Sequence, residues 1–146
     1  METRCLNFAV EAVGGTLLKG SADAEFRRVG TDSRTAQPGD LYFALKGAKF
    51  DGHEFLNEVA AKGAAAVVVE KKKIPAPLPD CAVLAVDDAR IALGKLAAAY
   101  RGGFDLPVVA VGGSNGKTTT KELLASVLRQ KFSTLASEAS FNNDIG

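Results

Sequence analysis

The stretch Pro107–Lys131 restricts the possible folds of this chain more than any other segment. Pro107-Val108-Val109-Ala110-Val111 is a short apolar run, and Gly112-Gly113-Ser114-Asn115-Gly116-Lys117-Thr118-Thr119-Thr120 follows it. Leu123, Leu124, Val127 and Leu128 then recur at helical spacing as far as Lys131. Strand, glycine-rich loop and helix, in that order, form the setting a phosphate-binding loop requires. Glycines let backbone N–H groups close around phosphate oxygens with no Cβ in the way. The helix N-terminus adds unpaired N–H groups and a dipole that favours anions. In such a loop Lys117 reaches the β- and γ-phosphates of ATP and the Thr118 hydroxyl ligates Mg²⁺, while Gly113, Ser114, Asn115, Gly116 and Thr119 complete the cradle. The general pattern asks for a further glycine where Val111 stands, so the loop is a shorter variant. A glycine-rich turn with an incidental lysine is the competing reading. It leaves the agreement of strand, loop, Lys-Thr pair and helix unexplained.

The residues before this segment alternate between strand and helix patterns. Leu6–Val13 has helical spacing and stops at Gly14-Gly15; Phe26–Val29 reads as a short strand, Pro38-Gly39-Asp40 as a turn and Leu41–Leu45 as a buried strand. His53–Lys62 fits a helix closed by Gly63, and Ala64–Val69 is the continuous apolar run of a strand covered on both faces. Pro75, Pro77 and Pro79 make a rigid connector, Cys81–Val86 is a second apolar run, and Asp87 is expected to cap a helix lined by Ile91, Leu93, Leu96, Ala97 and Tyr100. Gly102-Gly103 ends that helix, which puts a domain boundary near Gly102–Pro107. The pattern predicts an α/β architecture.

Composition removes several function classes. Lys+Arg 18 against Asp+Glu 17 leaves no broad electrostatic footprint for nucleic acid or an anionic membrane. The Lys71-Lys72-Lys73 run is expected to be a solvated loop. No apolar run approaches the roughly 18 residues of a membrane helix, and Met1–Cys5 lacks the apolar core of a secretory signal. Cys5 and Cys81 stand far apart without a CxxC pattern, which argues against a disulfide framework and for a reducing, cytoplasmic setting. Both cysteines are expected in the core.

The compact loop Gly113–Thr119 resembles the ATP loop of the Mur ligases, the ATP-dependent amide-forming enzymes of peptidoglycan assembly. Folylpolyglutamate synthases share a similar loop. Thr31-Asp32-Ser33-Arg34, Pro38–Gly47 and Phe50-Asp51-Gly52-His53-Glu54-Phe55 look like the N-terminal UDP-binding domain of the MurE and MurF branches. Phe141-Asn142-Asn143-Asp144-Ile145-Gly146, with Lys121-Glu122, is similar to the MurF branch. Gly112 stands where that family usually has threonine, and Ser140 where asparagine is common.

The resemblance implies a UDP-substrate domain over residues 1–104, followed over 105–146 by the first strand–loop–helix–strand unit of a central ATP-binding domain, with Phe132–Ala136 as its second strand. It implies ligation of D-alanyl-D-alanine to UDP-N-acetylmuramoyl-tripeptide through an acyl phosphate, with ATP and Mg²⁺. Ser33, Arg34, Asp51, Gly52, His53, Asn142 and Asn143 would bind the UDP-linked substrate. Taken by itself, Thr31–Arg34 reads as a turn, because Asp and Ser bond their own backbone well, and His53 as a helix-start histidine. With the family motifs, Ser33 offers a donor and acceptor to a uracil edge, and Arg34 a planar fork to phosphate. The family's metal carboxylates and C-terminal domain fall outside these residues, so the chain is expected to be an N-terminal portion, inactive alone, with Pro107–Gly146 prone to self-association. A MurE-type or folylpolyglutamate-type ligase, and a non-catalytic UDP-sugar-binding module, are the alternatives.

Overall fold

Continuous apolar strands need cover on both faces, and that requirement organises the first part of the chain. A computed structural model describes residues 1–137. The chain divides into two compact units, Met1–Gly103 and a second beginning at Phe104. In the first, β1 (Arg4–Cys5) leads into α1 (Leu6–Val13), followed by β2 (Thr16–Lys19), β3 (Glu25–Phe26), β4 (Arg28–Gly30), β5 (Asp40–Phe43), α2 (Leu56–Ala61), β6 (Ala66–Glu70), β7 (Ala82–Val86) and α3 (Ala89–Gly102). The main sheet has the order β2-β7-β6-β5-β4; β4, β5, β6 and β7 run parallel and β2 is antiparallel to β7. β1 and β3 form a separate antiparallel pair.

Successive residues of a strand face opposite sides of the sheet. Accordingly Leu41, Phe43, Ala66, Val68, Leu84 and Val86 pack with α1 and α3, through Leu6, Ala9, Val13, Ala92 and Leu96. Tyr42, Val67, Val69, Val83 and Ala85 pack on the other face with Leu56 and Val59 of α2. The result is a three-layer α/β unit whose parallel strands all end at one edge.

Several details differ from the sequence expectation. Phe26–Val29 is not one strand: the Arg27 N–H donates to the Gly39 carbonyl at 3.0 Å, and the chain passes there from one sheet to the other. The His53–Lys62 segment starts as a 3₁₀ turn over Gly52–Phe55 before α2. The cap of α3 is Asp88, whose carboxylate accepts the Ile91 N–H at 2.9 Å, while Asp87 pairs with Lys71. Capping at Asp88 turns the helix so that Ala89, Ala92 and Leu96 are buried and Ile91 is exposed. Cys5 is exposed, not a core residue, and Cys81 is half-buried. The edge strand β2 went unread in the sequence.

In the second unit α4 spans Lys117–Arg129, with Leu123 and Val127 exposed. Among the described residues of this unit there is no strand pairing, so Pro107–Val111 and Phe132–Ala136 are not the expected strands. A strand exists through its ladder, and among the described residues neither run is in one. Val108 and Val109 are correspondingly exposed.

This contrast sets an expected pattern of amide exchange. Backbone N–H groups of β5, β6 and β7 are in ladders within a double-sided core and should exchange at least roughly a hundredfold more slowly than those of Val108–Val111. Hydrogen–deuterium exchange read by mass spectrometry checks this. Equal protection of the two sets would mean that Val108–Val111 is paired in solution.

Candidate functional site

Open α/β sheets bind ligands beyond the carboxyl ends of their strands. At this edge the chain places Asp32-Ser33-Arg34 after β4, Asp51-Gly52-His53 on the connection after β5, Lys71-Lys72-Lys73 after β6 and Asp87 after β7. The sheet therefore brings Ser33 and Arg34 to the same edge as Asp51, Gly52 and His53.

Ser33–Thr35 forms a 3₁₀ turn capped by Asp32, whose carboxylate accepts the Arg34 N–H at 3.0 Å. The same carboxylate accepts from the Arg34 guanidinium, at 2.9 Å from Nε and 2.5 Å from Nη2. These bonds from Arg34 bring the Asp32 carboxyl down to about 2. Arg34 itself is exposed, with its Nε–Nη2 edge on Asp32, while Ser33 is buried. Beneath the turn lies a residue pair to which the sequence reading gave no role. Arg28 of β4 stands opposite Asp40 of β5 and grips it with two bonds, Nε to Oδ1 at 2.8 Å and Nη2 to Oδ2 at 2.6 Å. Arg28 Nη2 also donates to the Thr35 carbonyl at 2.6 Å, and Asp40 Oδ2 accepts the Gln37 N–H at 2.8 Å. Burial of Asp40 pushes its carboxyl up, but the bonds from Arg28 and Gln37 outweigh it and hold it below its ordinary value.

The Asp51-Gly52-His53 corner is locked from within. The Glu70 N–H donates to His53 Nε2 at 3.1 Å, which leaves the ring proton on Nδ1 to donate to Asp51 Oδ1 at 2.7 Å. Lys73 closes an ion pair on Asp51 Oδ2. Burial would raise the Asp51 carboxyl, yet Lys73 and His53 together hold it well below the carboxylate range. Gly52 sits against the chain leaving β5: a Cβ there would lie 2.9 Å from the Leu45 nitrogen. Tyr42, buried beside it, donates to the Gly52 carbonyl at 3.4 Å, and burial pushes its phenol up to about 12. Both ring nitrogens of His53 are thus used inside the corner. The Lys71–Lys73 run, expected as a solvated loop, is a 3₁₀ turn in which Lys71 pairs with Asp87 and Lys73 with Asp51.

The second unit carries the glycine-rich loop. Gly113 and Gly116 have φ of 139° and 76°, in the region that favours glycine, and Gly116 leads directly into α4. The helix starts at Lys117, earlier than its apolar spacing indicated, so the N–H groups of Lys117, Thr118 and Thr119 are first-turn donors without helical partners. Lys117 folds back over the loop, its ammonium on the carbonyls of Gly113 at 2.6 Å and Ser114 at 3.2 Å. Ser114, Asn115, Thr118 and Thr119 are exposed around it. Asn142 and Asn143 lie outside the described residues. No group of three metal-ligating carboxylate, histidine or cysteine side chains, and no helix long and apolar enough to cross a membrane, occurs among the described residues.

Comparison with known proteins follows the same division. Residues 25–101 match the model of the Mur ligase family, catalytic domain, and residues 111–146 that of the Mur ligase middle domain. A UDP-N-acetylmuramoyl-tripeptide--D-alanyl-D-alanine ligase of Haemophilus influenzae is 40% identical over 133 residues, 88% of this chain and 28% of the relative. The crystal structure of MurF from Acinetobacter baumannii superposes with a TM-score of 0.90 at 39% identity, over 99% of this chain and 32% of that one. MurF ligase from Thermotoga maritima, solved in complex with ADP, has a TM-score of 0.73 at 37% identity, over 82% of this chain and 27% of its own. This chain therefore spans about a third or less of the length of the relatives it matches.

The paired carboxylates give the first unit a defined acid response. Asp40 and Asp51 have folded-state values below their ordinary ones. Their stabilisation is therefore complete above the unfolded value of about 3.9 and is lost as pH falls through the folded values. Asp40→Asn leaves Arg28 without its carboxylate, though still on the Thr35 carbonyl, and should cost about 3 kcal/mol at neutral pH, the low end for a buried pair because Arg28 is partly exposed. The melting temperature of the variant should also fall less steeply below about pH 4 than that of the wild type. Thermal melts at stepped pH check both. An unchanged acid slope would separate Asp40 from the response.

Proposed function

Because this chain belongs to the Mur ligase family, we propose that it supplies the UDP-recognition unit and the ATP loop of a ligase that joins D-alanyl-D-alanine to UDP-N-acetylmuramoyl-tripeptide. The observation that carries the reading is the loop at α4: two glycines in the left-handed region, a helix N-terminus and the Lys117 ammonium poised over the loop carbonyls. An anion with several oxygens suits that arrangement, and the matched MurF structure from Thermotoga maritima carries ADP. Residues 1–104 serve as the substrate domain and 105–146 as the start of the central ATP-binding domain, in a cytoplasmic setting.

The chemistry runs in two steps. A carboxylate oxygen of the tripeptide bonds to the γ-phosphorus of ATP as the bond to the β-phosphate oxygen breaks, giving an acyl phosphate and ADP. The dipeptide amine then bonds to the acyl carbon, phosphate leaves with its electron pair, and the amine gives up a proton to solvent. Lys117 leaves the carbonyls of Gly113 and Ser114 for the phosphates, and the amides of Gly113–Thr119 surround the transferring group with fixed dipoles. The Thr118 hydroxyl is a hard, exposed oxygen in the first turn of α4 and is the residue that would hold Mg²⁺. When bound, Mg²⁺ offsets the charge on the phosphoryl oxygens. Ser33 meets the uracil edge and Arg34 the diphosphate, with the Asp51-Gly52-His53 corner shaping the wall beside them through its backbone. Asn142 and Asn143 are assigned to the nucleotide sugar or peptide near the phosphoryl group. Exposed Leu123 and Val127 make self-association of this chain an accompanying expectation.

Substitution should separate the two sites. In a full-length ligase carrying this sequence, Lys117→Ala is expected to lower kcat by at least roughly a hundredfold while leaving UDP binding intact. Ser33→Ala with Arg34→Ala should weaken the UDP-linked substrate by roughly tenfold or more and spare ATP. Steady-state kinetics and calorimetric titration of each nucleotide read these out. Near-normal turnover of Lys117→Ala at saturating ATP would refute the role of the loop, and a loss of ATP affinity in the double variant would refute the uridine assignment.

A further inference from the structure

The turn that presents Arg34 is held on both sides by cations from other elements. Lys62, which ends α2, donates to the Ser33 carbonyl at 2.8 Å, and Arg28 of β4 donates to the Thr35 carbonyl at 2.6 Å. These are the carbonyls of the residues before and after Arg34. Each cation is itself seated on a carboxylate of its own element or of the neighbouring strand: Lys62 on Glu58 at 2.7 Å, Arg28 on Asp40. The turn makes few backbone bonds of its own, Thr35 N–H to the Asp32 carbonyl at 3.2 Å and Ala36 N–H to the Ser33 carbonyl at 3.3 Å. Both are longer than the bonds from the two cations, and a single 3₁₀ turn has little rigidity alone.

We propose that Lys62 and Arg28 are positioning residues for UDP, clamping the carbonyls on either side of Arg34 so that its guanidinium and the Ser33 hydroxyl hold one orientation toward the uridine diphosphate. The proposal rests on the assignment of this turn to UDP. A guanidinium recognises a diphosphate through a planar fork, and a fork that must first be oriented binds more weakly than one already fixed. Asp32 fixes the fork relative to its own turn; Lys62 and Arg28 fix the turn relative to the sheet and α2. Lys62 is the residue to test, because its side chain is partly exposed and its removal leaves Asp40 paired.

The experiment is calorimetric titration of the 146-residue chain with UDP itself, for the wild type and for Lys62→Met, Lys62→Arg, Arg34→Ala and the Lys62→Met/Arg34→Ala pair. Lys62→Met keeps the apolar stem and removes the cation; it is expected to weaken UDP at least fivefold, with Lys62→Arg restoring most of the affinity. If Lys62 acts through Arg34, the loss from Lys62→Met shrinks to less than twofold once Arg34 is already alanine. A merely structural role gives the same loss in both backgrounds, and that result would overturn the proposal. Unchanged UDP affinity in Lys62→Met would overturn it as well. Should the Met variant not fold, Glu58→Gln frees Lys62 from its carboxylate at the surface, and the same background comparison decides. Failure of the wild-type chain to bind UDP at all would instead remove the assignment of the turn to UDP, and the proposal with it.

Discussion

The pairing of Arg28 with Asp40 fixes how the edge of the sheet is built. Asp40 is almost wholly buried at the start of β5, the strand next to the edge strand β4, and a carboxylate there loses several kcal/mol of hydration. Two bonds from a planar guanidinium and one from the Gln37 N–H offset that loss. Because the bonds come from two separate segments, they also decide geometry. β4 is set in register with β5, the Thr31–Gly39 connection is pinned at Thr35 and Gln37, and Gly39 is left to receive the Arg27 N–H where the chain changes sheets. A hydrophobic pair of equal volume would specify none of this. The ion pair is thus a device for shape more than for stability.

A similar economy governs the corner after β5. His53 was legible in the sequence as a candidate ligand group, and the Lys71–Lys73 run as solvated charge. In the fold His53 and Lys73 share one lock, in which Asp51 gathers both and the histidine accepts the backbone N–H of Glu70, while Lys71 pairs with Asp87. The lock fastens the end of β6 to the connection after β5, two strands whose carboxyl ends must stay level if the loops above them are to share a ligand. No pattern in the sequence links Asp51 to Lys73, because only the parallel pairing of β5 with β6 brings them together.

What the sequence carried well was local. The helix Leu6–Val13, the turn before Asp40, the buried runs of β6 and β7 and the glycine-rich loop depend on neighbours in the chain, and each was found near its observed place. The parallel α/β sheet followed from strands with no polar alternation. Misreadings cluster where a long-range partner decides. Asp88 rather than Asp87 caps α3, its carboxylate reaching the Ile91 N–H while Asp87 pairs with Lys71, and β2 exists only because β7 offers it an edge. Val108–Val111 has every local mark of a strand and, among the described residues, no ladder. Of the candidate site, Ser33, Arg34 and Lys117 announce themselves by motif. Arg28, Asp40 and Lys62 do not, since an arginine in a strand and a lysine closing a helix are ordinary surface residues until the fold aims them at the Thr35 and Ser33 carbonyls.

The two candidate nucleotide sites solve the same problem in different ways. The loop before α4 presents backbone N–H groups, so in the proposed reading a preference for phosphate would be written in glycine conformation and in the polarity of a helix end. Its own lysine braces it, Lys117 bridging the carbonyls of Gly113 and Ser114. The turn above β4 presents side chains, and side chains hold a direction only if the backbone beneath them is fixed. That is why the turn is surrounded by paired charges while the loop is not. Each cation at the turn is matched by a carboxylate, Arg34 by Asp32, Lys62 by Glu58 and Arg28 by Asp40, so the site is close to neutral before a ligand arrives. A dianionic diphosphate would then gain less from bulk attraction than from geometry, and must compete with Asp32 for the fork of Arg34. Selectivity follows from that competition: a ligand that reaches only the guanidinium displaces a good partner for little return, whereas one that also meets Ser33 is rewarded at a second, fixed point.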